Sequence, residues 1–408
     1  MDRQRDIICF SLSRWDSEIS SPALSLAKEF ARNSRVFYID HPFSWKDYYQ
    51  LKDTEQIRKR KTALLKGKNI YSNPASLPEN LTVVTTRLTW PINFLPPGGL
   101  YDRMAALNNK IVLRTIRQLI KDYQLKDFIY LNFFDPYFVQ QLPDDIKALT
   151  AVSVYQSMDD ISQVPYSHRH GTRLEEKIIT NFDYTLCTSR ELTRLKSPFN
   201  KNVFFHPNAA DIDIFKTAVT ETLPKPEAMQ SLDPHKKIIG YTGSIEYRSD
   251  FELLKKIAEY HSDKILFFVG PIQGTEHQEF GLDKLPNVVF AGPRKITELP
   301  AFLQYFDCVI IPFRKNTLTK SIYPLKINEY LAAGKPVIAT HFSEDIFGFK
   351  DVAYIAETHE DFLQLIDKAI AENNTDLIQK RMAVAGENTW TARVSQFYRI
   401  LGYNKSGC

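Results

Sequence analysis

The chain has 408 residues, 43% hydrophobic and 25% charged, with a formal net charge of +4. This is an ordinary globular composition, long enough for two packed domains at the usual size of about 150 residues each. The mild positive charge favours anionic small molecules or an anionic membrane surface, and without a zinc spacing or a nucleic-acid motif beside it no nucleic-acid partner is expected. The charged start and the short apolar run after it, broken by Arg14 and Asp16, fit neither a signal peptide nor a membrane span. A cytoplasmic location is expected. Cys9, Cys187, Cys308 and Cys408 are widely spaced, the first three within apolar strand-like runs, so they read as reduced small hydrophobes and not as disulfide partners or metal ligands.

In chain order, 7–12 reads as a buried strand, 21–33 as a helix with Pro22 in its first turn, and 35–40 as a second strand. This is a βαβ opening. Its first loop, Ser13-Arg14-Trp15-Asp16, makes Asp16 one candidate base. The stretch 43–97 then interrupts the α/β pattern with aromatics, the basic run Arg58-Lys59-Arg60-Lys61 and Trp90-Pro91-Ile92-Asn93-Phe94. It is long for a loop. Either it is an interfacial surface that meets anionic lipid at the inner face of the cytoplasmic membrane, or it is an insertion with helices packed on the first domain.

Residues 111–123 carry helical spacing, and 128–132, 151–155 and 184–188 read as strands, so the first half is a parallel, doubly wound sheet with binding residues at the carboxyl ends. Asp159 and Asp160 follow one such strand, and adjacent carboxylates suit proton abstraction; the plainer reading is a helix N-cap. His168 and His170 nearby read as surface residues. Asp211-Ile212-Asp213 has the form of a metal-binding D-x-D but is read as a turn, and no metal is expected.

Pro224, Pro226 and Pro234 place a linker at 216–236. A second alternating series follows, with strands at 237–241, 265–269, 288–290, 308–311, 337–339 and 353–355 and helices at 251–261 and 299–305. The domains are therefore expected at 1–215 and 237–387, with a last helix at 388–408 that either crosses back to the first domain or caps the second. No G-x-G-x-x-G follows any strand, and Gly240-Tyr241-Thr242-Gly243 is one residue too long for its first pair, which disfavours a nicotinamide cofactor.

The richest segment is Ser321-Ile322-Tyr323-Pro324-Leu325-Lys326-Ile327-Asn328-Glu329-Tyr330-Leu331-Ala332-Ala333-Gly334-Lys335-Pro336-Val337. Lys326 and Glu329 share one face near a helix start, where a diphosphate would also meet unpaired N–H groups. Gly243 and Ser244 follow a strand and precede a helix, a second place for close backbone approach to a diphosphate. A base for an incoming hydroxyl, a cation for the diphosphate and an acceptor for ribose hydroxyls complete the requirements of a sugar-nucleotide enzyme.

This segment resembles the donor-site signature of GT-B glycosyltransferases, especially bacterial family 1 and family 4-type enzymes of cell-surface polysaccharide assembly. The resemblance implies two Rossmann-like domains facing a cleft, an N-terminal acceptor domain and a C-terminal donor domain. It puts Lys326 on the diphosphate, Glu329 on the ribose, and the turn Gly292-Pro293-Arg294 on the nucleobase. Arg248 is a second cation candidate, while Lys320, Ser321 and Tyr323 lie on the donor-side loop. Ser321 stands where retaining relatives carry a Glu, eight positions before the ribose Glu, and so the stereochemical outcome stays open. The implied reaction is metal-independent transfer from a nucleotide sugar, UDP-sugar favoured, to a glycan or lipid-linked glycan, with no cofactor required. A sugar-nucleotide epimerase and a non-catalytic nucleotide-sugar-binding protein are the alternatives.

Overall fold

The computed structural model describes residues 5–17, 21–163, 167 and 169–403; His168 and Cys408 lie outside the described residues. The chain divides into two compact units, one running to Pro207 and resumed from Val394, the other Asn208–Arg393.

The first unit is built on an eight-stranded sheet in the order β3-β4-β2-β1-β5-β6-β7-β8. Its strands are β1 (Ile7–Ser11), β2 (Val36–Ile39), β3 (Tyr71–Ser72), β4 (Leu81–Val84), β5 (Phe128–Phe133), β6 (Thr150–Ser157), β7 (Tyr184–Cys187) and β8 (Val203–Phe205). Only β3 runs antiparallel, against β4. β1, β2, β4 and β5 are buried along their whole length, as expected for parallel strands covered on both faces. The helix Pro22–Phe30 starts on Ser21 with Pro22 in its first turn and turns Ala23, Leu26, Ala27 and Phe30 inward, the spacing of one helix face.

The stretch after β2 is not a long loop. It holds the helices Trp45–Gln50 and Glu55–Lys66 and then β3 and β4, and β4 pairs in parallel with β2, Val36 opposite Leu81. A four-residue strand buried on both faces shows no polar alternation, so Leu81-Thr82-Val83-Val84 carries no period that separates it from its surroundings.

The second unit holds a six-stranded, all-parallel sheet in the order β11-β10-β9-β12-β13-β14. These are β9 (Ile238–Thr242), β10 (Ile265–Val269), β11 (Val288–Phe290), β12 (Cys308–Ile311), β13 (Val337–Thr340) and β14 (Tyr354–Ala356). The order reverses between β9 and β12, the kind of point where open α/β sheets bind ligands at their carboxyl ends.

The segment at 216–236 packs on this unit. Prolines do end the helix Ile212–Thr220, yet Met229 is wholly buried and Gln304 accepts from the Leu223 N–H and donates to the Ala218 carbonyl. The division falls instead at Pro207, after β8. The final helix, Trp390–Ile400, joins the first unit from Val394. Phe397 is fully buried there against Phe30, ring centroids 4.9 Å apart, and Tyr398 meets Ser34 through their hydroxyls at 3.4 Å.

Candidate functional site

In the second unit, β9 delivers its last residues to the reversal point. Thr242 is held there by Tyr330, whose hydroxyl accepts from the Thr242 N–H at 2.9 Å and donates to its carbonyl at 3.2 Å. Tyr330 belongs to the helix Leu325–Ala332, so this contact locks that helix onto the end of β9.

Gly243 comes next, with φ +125° and its N–H bonded to the Val269 carbonyl at 2.8 Å. A β-carbon on Gly243 would stand 2.5 Å from the Lys326 ammonium nitrogen and closer still to its Cε. Glycine is required there, both for the positive φ and for the space the lysine occupies. Gly270, at φ +154°, is equally constrained, because a β-carbon on it would collide with the Gly243 carbonyl. Gly270 N–H reaches the Gly292 carbonyl at 3.0 Å, so the loops after β9, β10 and β11 are laced together.

Lys326 lies in the first turn of its helix, which begins on Pro324 and has no side-chain cap. Its ammonium also lies over the Tyr241 ring, 5.6 Å from the centroid, a cation–π contact. Burial pulls its pKa down to about 8, with Arg248 adding to the effect and Glu329 opposing it. Glu329 is 9% exposed, and burial pushes its carboxyl up to about 7, against the pull of Lys326 and with a further push from Asp211. Both groups thus sit poised close to neutrality, each ready to gain from a ligand that meets its charge or its hydrogen-bonding capacity.

Ser244 is fixed by two contacts: its carbonyl accepts from the Tyr241 hydroxyl at 2.9 Å and its Oγ from Gln273 at 3.2 Å. Arg248 is ion-paired with the buried Glu246, which tempers it as a free phosphate cation. Gly292 has φ +74°, Pro293 and Arg294 are exposed, and Arg294 donates to the Pro293 carbonyl at 2.8 Å.

The donor-side loop divides. Lys320 is exposed, Ser321 is 1% exposed with no hydrogen-bond partner for its Oγ among the described residues, and Tyr323 is turned inward, accepting from Asn328 at 3.2 Å and engaging Arg393. The Tyr323 phenol is therefore part of the core and not an open contact. The structure brings Gly243, Ser244, Lys326 and Glu329 together, with Arg248 near enough to act on Lys326.

Two of the candidate bases in the first unit already have structural partners. Asp16 holds Arg60 at 2.7 and 3.0 Å, and Arg60 also binds the buried Asp40 at 3.0 Å. Asp160 is 5% exposed and accepts from the Ser162 N–H and hydroxyl at 3.1 and 2.7 Å, a local turn of the kind a short polar side chain makes with its own backbone. Asp159 is half-buried. Asp211 precedes the helix Ile212–Thr220, while Asp213 projects into solvent 3.8 Å from Lys216. No group of three or more metal-ligating side chains exists among the described residues.

Sequence reasoning missed two side-chain pairs at the carboxyl ends of the first sheet, Asp40 ion-paired with Arg60 and His41 hydrogen-bonded to Asp135. Their signal was positional: Asp40 and His41 directly follow β2, and Asp135 follows β5. His170, read as a surface residue, is 2% exposed and stacks on Tyr101 at 3.7 Å.

Comparison with known proteins agrees with this architecture. The family model described as "Glycosyl transferases group 1" matches residues 236–372. TuaH of Bacillus subtilis, named as a glycosyltransferase of teichuronic acid biosynthesis, is 25% identical over 57% of this chain. The match spans 59% of that relative's length. An alpha,alpha-trehalose-phosphate synthase (UDP-forming) from Burkholderia vietnamiensis superposes with a TM-score of 0.68 at 11% identity, covering 98% of this chain and 100% of that one. Anabaena HepE, solved in complex with UDP and glucose, gives 0.61 at 13% identity, covering 98% and 100%. The two parallel-sheet α/β units are those of the GT-B fold, and the second of them, over residues 236–372, is a glycosyl transferases group 1 domain.

Proposed function

We propose that this protein transfers a sugar from a UDP-sugar to a hydroxyl of a glycan or lipid-linked glycan during surface polysaccharide synthesis. The observation that carries the reading is the Lys326 ammonium seated on the Gly243 backbone at the end of β9, with Glu329 one turn further along the same helix. Lys326 would meet the diphosphate and Glu329 the ribose hydroxyls, while the uncapped helix start offers N–H groups to the leaving phosphate. Gly292, Pro293 and Arg294 would border the base, and Arg248 would add charge once its pairing with Glu246 loosens. Lys326 and the helix start take the place of a metal ion in this scheme. The UDP complex of HepE and the name of TuaH support the donor and the pathway.

Isothermal titration with UDP, GDP and ADP in EDTA tests the donor site. UDP should bind selectively, and Lys326→Ala and Glu329→Ala should each weaken it about 10- to 100-fold, the worth of a hydrogen bond to a charged group. Absence of binding by every nucleotide would sink the reading.

No helix among the described residues is long and apolar enough to cross a membrane. Contact with the inner membrane face would use the exposed Tyr49, Trp90, Phe94 and Leu100 beside Lys46 and Arg103. Co-sedimentation with phosphatidylglycerol vesicles should fall in Trp90→Ala/Phe94→Ala; equal sedimentation of both proteins would refute the contact.

A further inference from the structure

The loop after β9 carries two opposite charges two residues apart, Glu246 and Arg248, on a stretch of backbone fixed at both flanks. On one side the Ile245 N–H donates to the Pro271 carbonyl at 2.9 Å, and the Ile245 carbonyl accepts from the Gln273 N–H at 2.9 Å. On the other the Arg248 carbonyl accepts from the Arg314 N–H at 2.9 Å, and the Asp250 N–H donates to the Pro312 carbonyl at 2.8 Å. Between them the Ser249 N–H closes a turn on the Glu246 carbonyl at 2.8 Å. Glu246 is thus held by its own backbone, and it is only 6% exposed.

Arg248 turns both its Nε and its Nη2 onto the same oxygen of Glu246. Its guanidinium also lies over the Phe313 ring, 5.8 Å from the centroid. Arg248 is the longer and more exposed side chain of the pair, and so it is the member that can swing. Its charge already reaches the donor site, where it helps to pull the Lys326 pKa down. A cation within range of the diphosphate is therefore committed to an internal carboxylate. Drawing it away leaves Glu246 buried without a counter-charge, which is costly. Any anionic ligand that engages Arg248 works against that cost.

We propose that Glu246 competes with the nucleotide diphosphate for Arg248, and that this competition loosens the hold of the site on UDP once the sugar has been transferred. The inference rests on the UDP-sugar reading above. Its physical basis is a difference in charge between substrate and product. When the bond to the sugar breaks, the terminal phosphate of UDP is freed and ionises near neutral pH, so the product carries one more negative charge than the donor. Lys326 and the helix start attract the product more strongly than the substrate for that reason. A site made of cations alone would be retained by its own product. Glu246 opposes this in two ways: it withholds Arg248, and its charge repels the product more than the donor. Product release limits kcat in many enzymes, and a fixed carboxylate beside the diphosphate shortens that step.

The test uses the full chain, Glu246→Gln, Arg248→Ala and the double variant, each titrated calorimetrically with UDP and with UDP-glucose. Titration reads affinity apart from the fraction of molecules that bind, so a poorly folded share lowers the stoichiometry and leaves the Kd interpretable. E246Q should bind UDP about 10-fold more tightly than the wild type, the lower end for a hydrogen bond to a charged group, and UDP-glucose by a smaller factor. Stopped-flow displacement should show UDP leaving E246Q more slowly by a similar factor, since most affinity changes at one site appear in the dissociation rate. Arg248→Ala should weaken UDP far more in the E246Q background than in the wild type, the coupling expected of two side chains in contact. A purely structural Glu246 gives the opposite sign, a variant that binds UDP less well. UDP affinity in E246Q at or below that of the wild type, a gain that persists undiminished without Arg248, or equal gains for UDP and UDP-glucose each overturns the proposal. Failure of the wild type to bind UDP removes the donor reading itself, whereas UDP binding that Lys326→Ala weakens and E246Q leaves unchanged removes only the role of Glu246.

Discussion

At the scale of single residues, the proposed donor site is governed by burial as much as by charge. Lys326 at about 8 and Glu329 at about 7 define a window in which both are ionised. Above about 8 the free protein loses the ammonium that would meet a diphosphate, and below about 7 it loses the carboxylate acceptor. UDP affinity should therefore be highest between those values and fall on either side. Above about 8, binding should also draw a proton onto Lys326, which titration in buffers of different ionisation enthalpy would register as proton uptake. Lys326→Ala should abolish both the alkaline fall and the uptake; their persistence would place the titrating group elsewhere. The identity and spacing of Lys326 and Glu329 were legible in the sequence. Their shared displacement toward neutral pH was not, because desolvation depends on what other segments bring around them.

At the scale of elements, the site is a junction of three loops and one helix start, and glycines set how closely they approach. Gly243→Ala must place a β-carbon where the Lys326 side chain lies and hold alanine at φ +125°. It should cost about 1–3 kcal/mol in stability and weaken UDP at least about tenfold, since the lysine is displaced. Gly281→Ala is the matched control, with φ +72° and nothing within 4 Å of the added carbon. It should show backbone strain alone, with UDP affinity unchanged, in paired denaturation and titration experiments. The position of Gly243 after a strand was readable from the chain. The reason for the glycine was not, because the atom that excludes a side chain comes from a helix more than eighty residues later. β4 was hidden for a related reason: four residues buried on both faces have no period of their own, and only pairing with β2 identifies them.

At the scale of the whole molecule, the first unit is completed by the end of the chain. Phe397 is fully buried against Phe30, and Gln396 donates to the Phe205 carbonyl at 2.9 Å, closing β8 from outside. Phe397→Ala should destabilise the first unit by about 3–5 kcal/mol, the usual cost of emptying an aromatic core position. The proposed UDP site lies in the other unit, and binding there should survive in urea concentrations where the first unit has begun to unfold. Loss of both together would show the two units to be one cooperative body. Periodicity around Trp390, Val394, Phe397 and Tyr398 revealed the helix, but a helical stripe does not say which core it covers.

The sequence by itself determined what local rules govern: two series of strands and helices, a proline-rich break between them, and a lysine and a glutamate on one helix face. These depend on period, capping and backbone freedom over a few residues. Tertiary structure alone decided which charges were already committed. Asp16 is held by Arg60, Asp160 by its own turn and Tyr323 by the core, while His41 gained Asp135 from the loop after β5, the strand on the far side of β1 in the sheet. Pairing between side chains ninety residues apart is set by the order of strands, and no spacing in the chain encodes that order.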